Sequence, residues 1–240
     1  MILIIKILTG SDFLALDFRL QAVANFVPPN SFIADIGTDH GYLPIALIKS
    51  GKIARAIAGD VHEGPYFTAK RSIREAGLTK KIDLRLGSGL EILTLADNVD
   101  IATFSGMGGN LIAQLLSDCP SIVNSLKGLI LQPQSGYSAL RRYLYQINWH
   151  IKDEAIAKQD SKIYQIIYAV PGKEPLPSEI ELEIGAILAQ KRPPLFTELV
   201  QEFITKINRS LKSMEKSPQA KQSAHYAELQ TRLHKLEEYL

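Results

Sequence analysis

Five short apolar runs, at residues 31–36, 54–60, 82–86, 99–105 and 128–131, are interleaved with stretches of helical periodicity, and this alternation constrains the fold more than any other feature. Strands that alternate with helices pair in parallel through right-handed crossovers, so the chain reads as an open α/β sheet flanked by helices. The helical stretches lie at 42–50, 66–76, 111–116 and 137–146, and a further short helix at 17–27 stops at Pro28-Pro29. Two more β-rich runs, 150–157 and 163–170, are joined only by the short polar segment 158–162. That link is too short for a crossover helix, so the pair is expected as an antiparallel hairpin at one edge of the sheet.

After Pro171-Gly172 the pattern changes. Pro175 and Pro177 mark a linker, and helical stretches follow at 178–191, 196–216 and 219–240. Tyr226, Leu229, Leu233, Leu236 and Leu240 form a heptad seam, and Phe196, Val200, Phe203, Ile207 and Met214 supply a matching stripe. The break at Pro218 is short, which favours a helical, coiled-coil-like hairpin folded on itself and a monomeric chain. The expected division is an α/β domain at 1–170 and a helical domain at 171–240.

Charge and cysteine usage narrow the setting. The net charge of the 240 residues is only +2, so an anion-binding surface must come from charge distribution. The single cysteine, Cys119, fits a reducing, cytoplasmic compartment, and the five histidines show no zinc-like spacing, so no metal is expected. The apolar run at 1–8 is interrupted by Lys6, is too short to cross a bilayer and lacks a cleavage signature, so no membrane association is expected. Residues 1–15 read as a non-native or disordered extension, with Leu16 as an alternative start.

The segment carrying most chemistry is Ala34-Asp35-Ile36-Gly37-Thr38-Asp39-His40-Gly41-Tyr42-Leu43-Pro44. A strand ends near Asp35, Gly37 and Gly41 allow a tight turn, and a helix follows, an arrangement that binds nucleotide cofactors. A dinucleotide site needs G-x-G-x-x-G for close approach to a pyrophosphate. Here Asp39 stands where the middle glycine would be, and its carboxylate repels a pyrophosphate but tolerates a cationic sulfonium. The balance favours S-adenosyl-L-methionine (AdoMet) over NAD. Asp60 ends the second strand, 25 residues beyond Asp35, where a carboxylate accepts both ribose hydroxyls, and Val61 follows it. Gly87-Ser88-Gly89 follows the third strand, where adenine would lie, and Ser105-Gly106-Met107-Gly108-Gly109 follows the fourth, beside the transferred methyl group. Taken alone, the last segment reads equally as a tight strand-to-helix turn. Gln132, Pro133 and Gln134 add polar groups after the fifth strand.

At these residues the chain resembles the bacterial tRNA adenine-N1 methyltransferases of the TrmK type, which act on adenine 22 in the D-arm. The resemblance runs from about Leu16 to the C-terminus and includes Arg19-Leu20, Asp35–Pro44, Ala58-Gly59-Asp60, Gly64-Pro65-Tyr66, Gly87–Leu90, Gly106–Gly109, Leu129–Pro133, and Lys162 with Tyr164. It implies a Rossmann-like class I methyltransferase fold with a C-terminal coiled-coil-like domain, AdoMet as cofactor and tRNA as substrate. The family commonly has Glu at Asp60, Asp at Ser88, Asn at Gln134 and Ile-Ala at Phe104-Ser105. Ser88 can accept from an adenine amino group without charge assistance.

Adenine N1 is already nucleophilic, so catalysis should consist of positioning and of stabilising the positive charge that develops on the ring. Asp39 is the catalytic candidate, its alternative role being an N-cap for the following helix. No Asn-Pro-Pro-Tyr motif follows the fourth strand, which disfavours methylation of an exocyclic amine. The expected cofactor residues are Asp35, Gly37, Asp60, Val61, Gly87, Ser88, Gly89, Gly106 and Met107. Arg19, His40, Lys70, Arg71, Arg74, Gln132 and Arg141 are the expected tRNA contacts, each cation being read equally well as solvated surface charge. Methylation of another RNA, a protein or a small molecule, or RNA binding without catalysis, remain the alternatives at this point.

Overall fold

The computed structural model describes residues 16–240, so the reading of 1–15 as an extension lies outside them. Seven strands form one sheet: β1 (Ile33–Ile36), β2 (Ala56–Asp60), β3 (Ile82–Leu86), β4 (Ile101–Met107), β5 (Gly128–Pro133), β6 (Trp149–Gln159) and β7 (Lys162–Pro171). Their order is β3-β2-β1-β4-β5-β7-β6. The first five strands pair in parallel, and β7 inserts antiparallel between β5 and the edge strand β6. The chain winds outward from β1 to β3, then returns to β4 and winds the other way. The reversal between β1 and β4 opens a crevice at the carboxyl ends of the strands.

The helices of the sheet are α1 (Phe18–Phe26), α2 (Tyr42–Lys49), α3 (Glu63–Glu75), α4 (Gly109–Asp118), α5 (Pro120–Ser125) and α6 (Tyr137–Gln146). Every residue of β1 and β2 is buried, because helices cover both faces. Ile33 joins Val23, Leu47, Ala69 and Ile73 in one apolar cluster. Its neighbours Ala34 and Ile36 join Phe104, Ile112, Leu116 and Leu140 in the other. Pro120 opens α5, which periodicity alone did not single out, in the first-turn position where proline's missing N–H costs nothing.

The remaining helices are α7 (Glu179–Ile184), α8 (Ala186–Lys191), α9 (Phe196–Met214), α10 (Pro218–Lys221) and α11 (Ala224–Glu237). The expected helix at 178–191 is broken at Gly185. A side chain there would collide with the Glu154 carboxylate, which instead accepts the backbone N–H groups of Ile187 (3.1 Å) and Leu188 (3.4 Å) at the start of α8. The stretch at 219–240 is interrupted where Ser223 caps α11 by accepting from Tyr226 N. Of its seam, Tyr226, Leu229 and Leu236 are buried against α9, whereas Leu240 is exposed.

Arg141 corrects an expectation. It is 1% exposed and makes no surface for RNA. Its Nε donates to Glu154 (2.8 Å), Nη1 to the carbonyls of Leu182 (2.9 Å) and Glu183 (3.2 Å), and Nη2 to Gln165 Oε1 (2.6 Å). The guanidinium thus ties α6 and the β6–β7 hairpin to α7, and its burial is tolerable because its donors are satisfied. Its neighbour Arg142 is engaged by Glu179.

Candidate active site

The crevice at the β1/β4 reversal holds a cavity of about 600 Å³, lined from the ends of β1, β2 and β4, the turn after β3, and α1. Asp35, Gly37, Asp39, His40, Asp60, Val61, Gly87, Ser88, Gly89, Gly106 and Met107 all line it. Segments remote in sequence therefore converge, as the parallel register of β1 with β2 and β4 requires.

Asp35 is buried within this wall. Thr38 Oγ1 donates to its Oδ2 (2.6 Å) and Thr103 Oγ1 to its Oδ1 (2.7 Å). Burial pushes its carboxyl above the ordinary carboxylate range; the two hydroxyls and the Arg19 charge oppose the rise, and the Asp60 charge adds to it. A buried carboxylate raised in this way gains most from a cationic ligand. Neither threonine stood out in the sequence: Thr103 meets Asp35 only because β4 pairs with β1 in that register.

Asp60 accepts the backbone N–H of His62 at Oδ1 (3.0 Å) and that of Asp39 at Oδ2 (3.3 Å). Those bonds fix the carboxylate and leave lone pairs for hydroxyl donors, the requirement for holding a ribose. Beside it, Val61 is 54% exposed and Leu111 50% exposed, and both line the cavity. Apolar surface left open on a polar rim suits a planar base. Leu111 was absent from the expected site because an apolar residue in a helical stretch reads from sequence as packing, whereas here it is left open beside the cavity.

Asp39 has φ +51° and a side chain 65% exposed; it makes no cap, since Gly41 occupies the N-cap position of α2. Its carboxylate lies 3.4 Å from His40 Nε2, and the His40 ring stacks on Tyr42 at 4.8 Å between centroids. Gly37 has φ +71°, so the turn itself favours glycine; an added Cβ would meet only the flexible end of the Met107 side chain, which can swing aside.

The Gly106–Gly109 segment differs from a simple turn. β4 continues to Met107 with a bulge between Ser105 and Met107, and Gly106 N donates to Gln132 Oε1 (3.0 Å). Gln132, expected to touch RNA, is 0% exposed, and its Oε1 also accepts from Arg19 Nη1 (2.8 Å). Arg19 lines the cavity, held by Gln132 and Asp17. Lys70, Arg71 and Arg74 are exposed on α3 and do not line the cavity.

Four carboxylates, Asp17, Asp35, Asp39 and Asp60, line the cavity against one guanidinium, Arg19. This acidic wall repels a pyrophosphate and attracts a cationic sulfonium with its ammonium group. The residues therefore fit AdoMet and do not fit a dinucleotide. Among the described residues no group of His, Cys, Asp and Glu is arranged to hold a metal ion, and no helix is long and apolar enough to cross a membrane.

Comparison with known proteins gives the same chemistry. A Bacillus subtilis (strain 168) tRNA (adenine(22)-N(1))-methyltransferase is 36% identical over 188 residues, covering 76% of this chain and 79% of the relative. A Streptococcus agalactiae protein of the NADB-Rossmann superfamily superposes with a TM-score of 0.88 at 37% identity, covering 95% of this chain and 98% of its own. Streptococcus pneumoniae Sp1610 in complex with S-adenosyl-L-methionine superposes with a TM-score of 0.80 at 32% identity, covering 92% and 98% of the two chains. The sequence profile of one family spans both the sheet and the helices that follow it, matching residues 33–238. On the acidic nucleotide crevice and on this match, the chain belongs to the TrmK family, tRNA (adenine(22)-N(1))-methyltransferase.

Proposed function

We propose that the crevice binds AdoMet and that the chain methylates N1 of adenine 22 in tRNA, with Asp39 as the catalytic residue. The observation that carries this reading is the acid-lined cavity, in which Asp35 and Asp60 stand at the ends of adjacent parallel strands. Asp35 anchors the methionine ammonium group and Asp60 the ribose hydroxyls. Val61, Leu111 and the Gly87-Ser88-Gly89 turn enclose the adenine. Arg19, the one guanidinium in the lining, is better suited to the methionine carboxylate than to RNA, because Gln132 and Asp17 hold it inside the cavity.

AdoMet, when bound, would supply an electrophilic methyl group on a sulfonium that becomes a neutral thioether once the methyl is transferred. The target N1 offers a lone pair in the ring plane, so no protein base is needed before attack. The Asp39 carboxylate, held through its backbone by Asp60, stabilises the positive charge that forms on the ring and accepts from the N6 amino group. His40, stacked on Tyr42, flanks the entering base. Adenine 22 must leave its stack to reach the cavity.

In this reading residues 1–170 carry cofactor and chemistry and residues 171–240 form a helical unit, supported by its own apolar cluster around Phe196, Val200 and Leu229. The enzyme works as a monomer in the cytoplasm, a reducing setting that suits the lone Cys119. Mass spectrometry of nucleosides from an unmodified tRNA, incubated with protein and AdoMet, tests the proposal. It predicts one N1-methyladenosine per tRNA, lost when adenine 22 is changed to guanosine. Methylation of a different base, or of protein instead of tRNA, would refute it.

A further inference from the structure

A second cavity, of about 940 Å³, lies between the β6–β7 hairpin, the turn before α6, and α9. We propose that this cleft is an RNA-strand subsite that seats the nucleotides flanking the target adenine, a proposal that rests on the tRNA methyltransferase reading above. The two cavities adjoin: Gln134 lines both, and Arg19 in the first stands 6.0 Å from the ring centroid of Tyr164 in the second.

The charge of the cleft selects the ligand. Lys162, Lys206 and Arg209 line it and make no ion pair among the described residues. Of its three carboxylates, Glu198 is neutralised by Lys158 and Glu183 by Arg232, which leaves Glu202 alone against three cations. Lys206 and Arg209 are three residues apart on one face of α9, and Lys162 begins β7 on the opposite wall. Tyr164 and Tyr137, both half-buried, lie between these walls, while Phe203 is buried in the apolar cluster of α9 beneath Lys206. Paired cationic walls around aromatic rings are how single strands are gripped, with phosphates on the cations and bases on the rings. A base drawn out of its stack needs its neighbours held, and a cleft beside the cavity mouth does that. The α3 cations Lys70, Arg71 and Arg74 line neither cavity and are no part of this subsite.

The test uses the full chain, AdoMet and an unmodified tRNA transcript with adenine at position 22. Lys206→Ala/Arg209→Ala should raise KM for tRNA roughly tenfold and shrink the slope of log affinity against log salt by about 1.4, about 0.7 for each phosphate lost from a single strand. Its kcat and AdoMet affinity should stay near wild type, which also reports an intact fold. Tyr164→Ala should lower kcat/KM about tenfold, and Tyr164→Phe, which keeps the ring, should restore it. A Lys221→Ala control, on α10 and outside both cavities, should behave as wild type. Active wild type with unaffected cleft variants, or an equal loss in the Lys221→Ala control, would overturn the cleft alone. A wild type that leaves tRNA unmodified would overturn the functional reading and the cleft with it.

Discussion

Asp35 and Asp39 sit four residues apart and are set for different tasks by their surroundings. Asp35 is buried, with its carboxyl raised above the ordinary range, so in the ligand-free protein its charge is a burden that a cationic ligand relieves. Because the folded value lies above the unfolded one, folding stability falls as pH rises through the window between them, whereas AdoMet affinity falls as pH drops through the same window. Asp35→Asn should therefore lose at least about tenfold in AdoMet affinity by calorimetry, yet melt no lower than wild type at neutral pH. A variant that keeps its affinity would exclude the ammonium contact. Asp39 is exposed and held by its backbone, and Asn tolerates its left-handed conformation. Asp39→Asn should leave AdoMet affinity near wild type and lower kcat on tRNA about 100-fold, the usual effect of removing one preorganised electrostatic contact. A kcat near wild type would remove Asp39 from the chemistry.

The elements were legible where a periodic apolar pattern sets them, and less so where a side chain from another segment intervenes. Strand β3 and helix α6 fall at the expected boundaries, and the strand alternation gave the parallel sheet. The break at Gly185 was hidden because its cause, Glu154, lies on β6. The site divides the same way. Asp35, Asp60 and the glycines are local motif residues and read directly, but Thr103, Leu111 and the inward turn of Arg19 depend on strand register and helix docking. Arg141 read as a phosphate contact because no local pattern separates a buried guanidinium from an exposed one. Gly109, at the start of α4, shows the limit of a motif reading: it is small because the carbonyls of Gly136 and Ser135 would stand 2.5 and 2.8 Å from a Cβ. Gly109→Ala should destabilise the protein by about 1–3 kcal/mol in urea unfolding, since backbone obstacles yield less than side chains do. An unchanged midpoint would show that the α4 start and the turn before α6 can separate freely.

At the scale of the molecule, the helical unit is fastened to the sheet by the buried Arg141–Glu154 pair through its bonds to the backbone of Leu182, Glu183, Ile187 and Leu188, and by ion pairs at the surface, among them Arg142–Glu179 and Lys158–Glu198. The exposed pairs contribute little, but removing one partner of the buried pair leaves a charge without compensation. Arg141→Met should cost about 3–5 kcal/mol in urea unfolding. A loss below about 1 kcal/mol would mean that water reaches Glu154 and that the fastening lies elsewhere. Every residue role assigned to the acidic crevice depends on its being the seat of a sulfonium cofactor. The most direct measurement is a crystal structure of the wild-type protein with AdoMet. It should place the ammonium group against Asp35, the ribose against Asp60, and the adenine beside Val61 and Leu111. AdoMet bound outside this crevice, or entering it with adenine at the Asp35 end, would contradict the account.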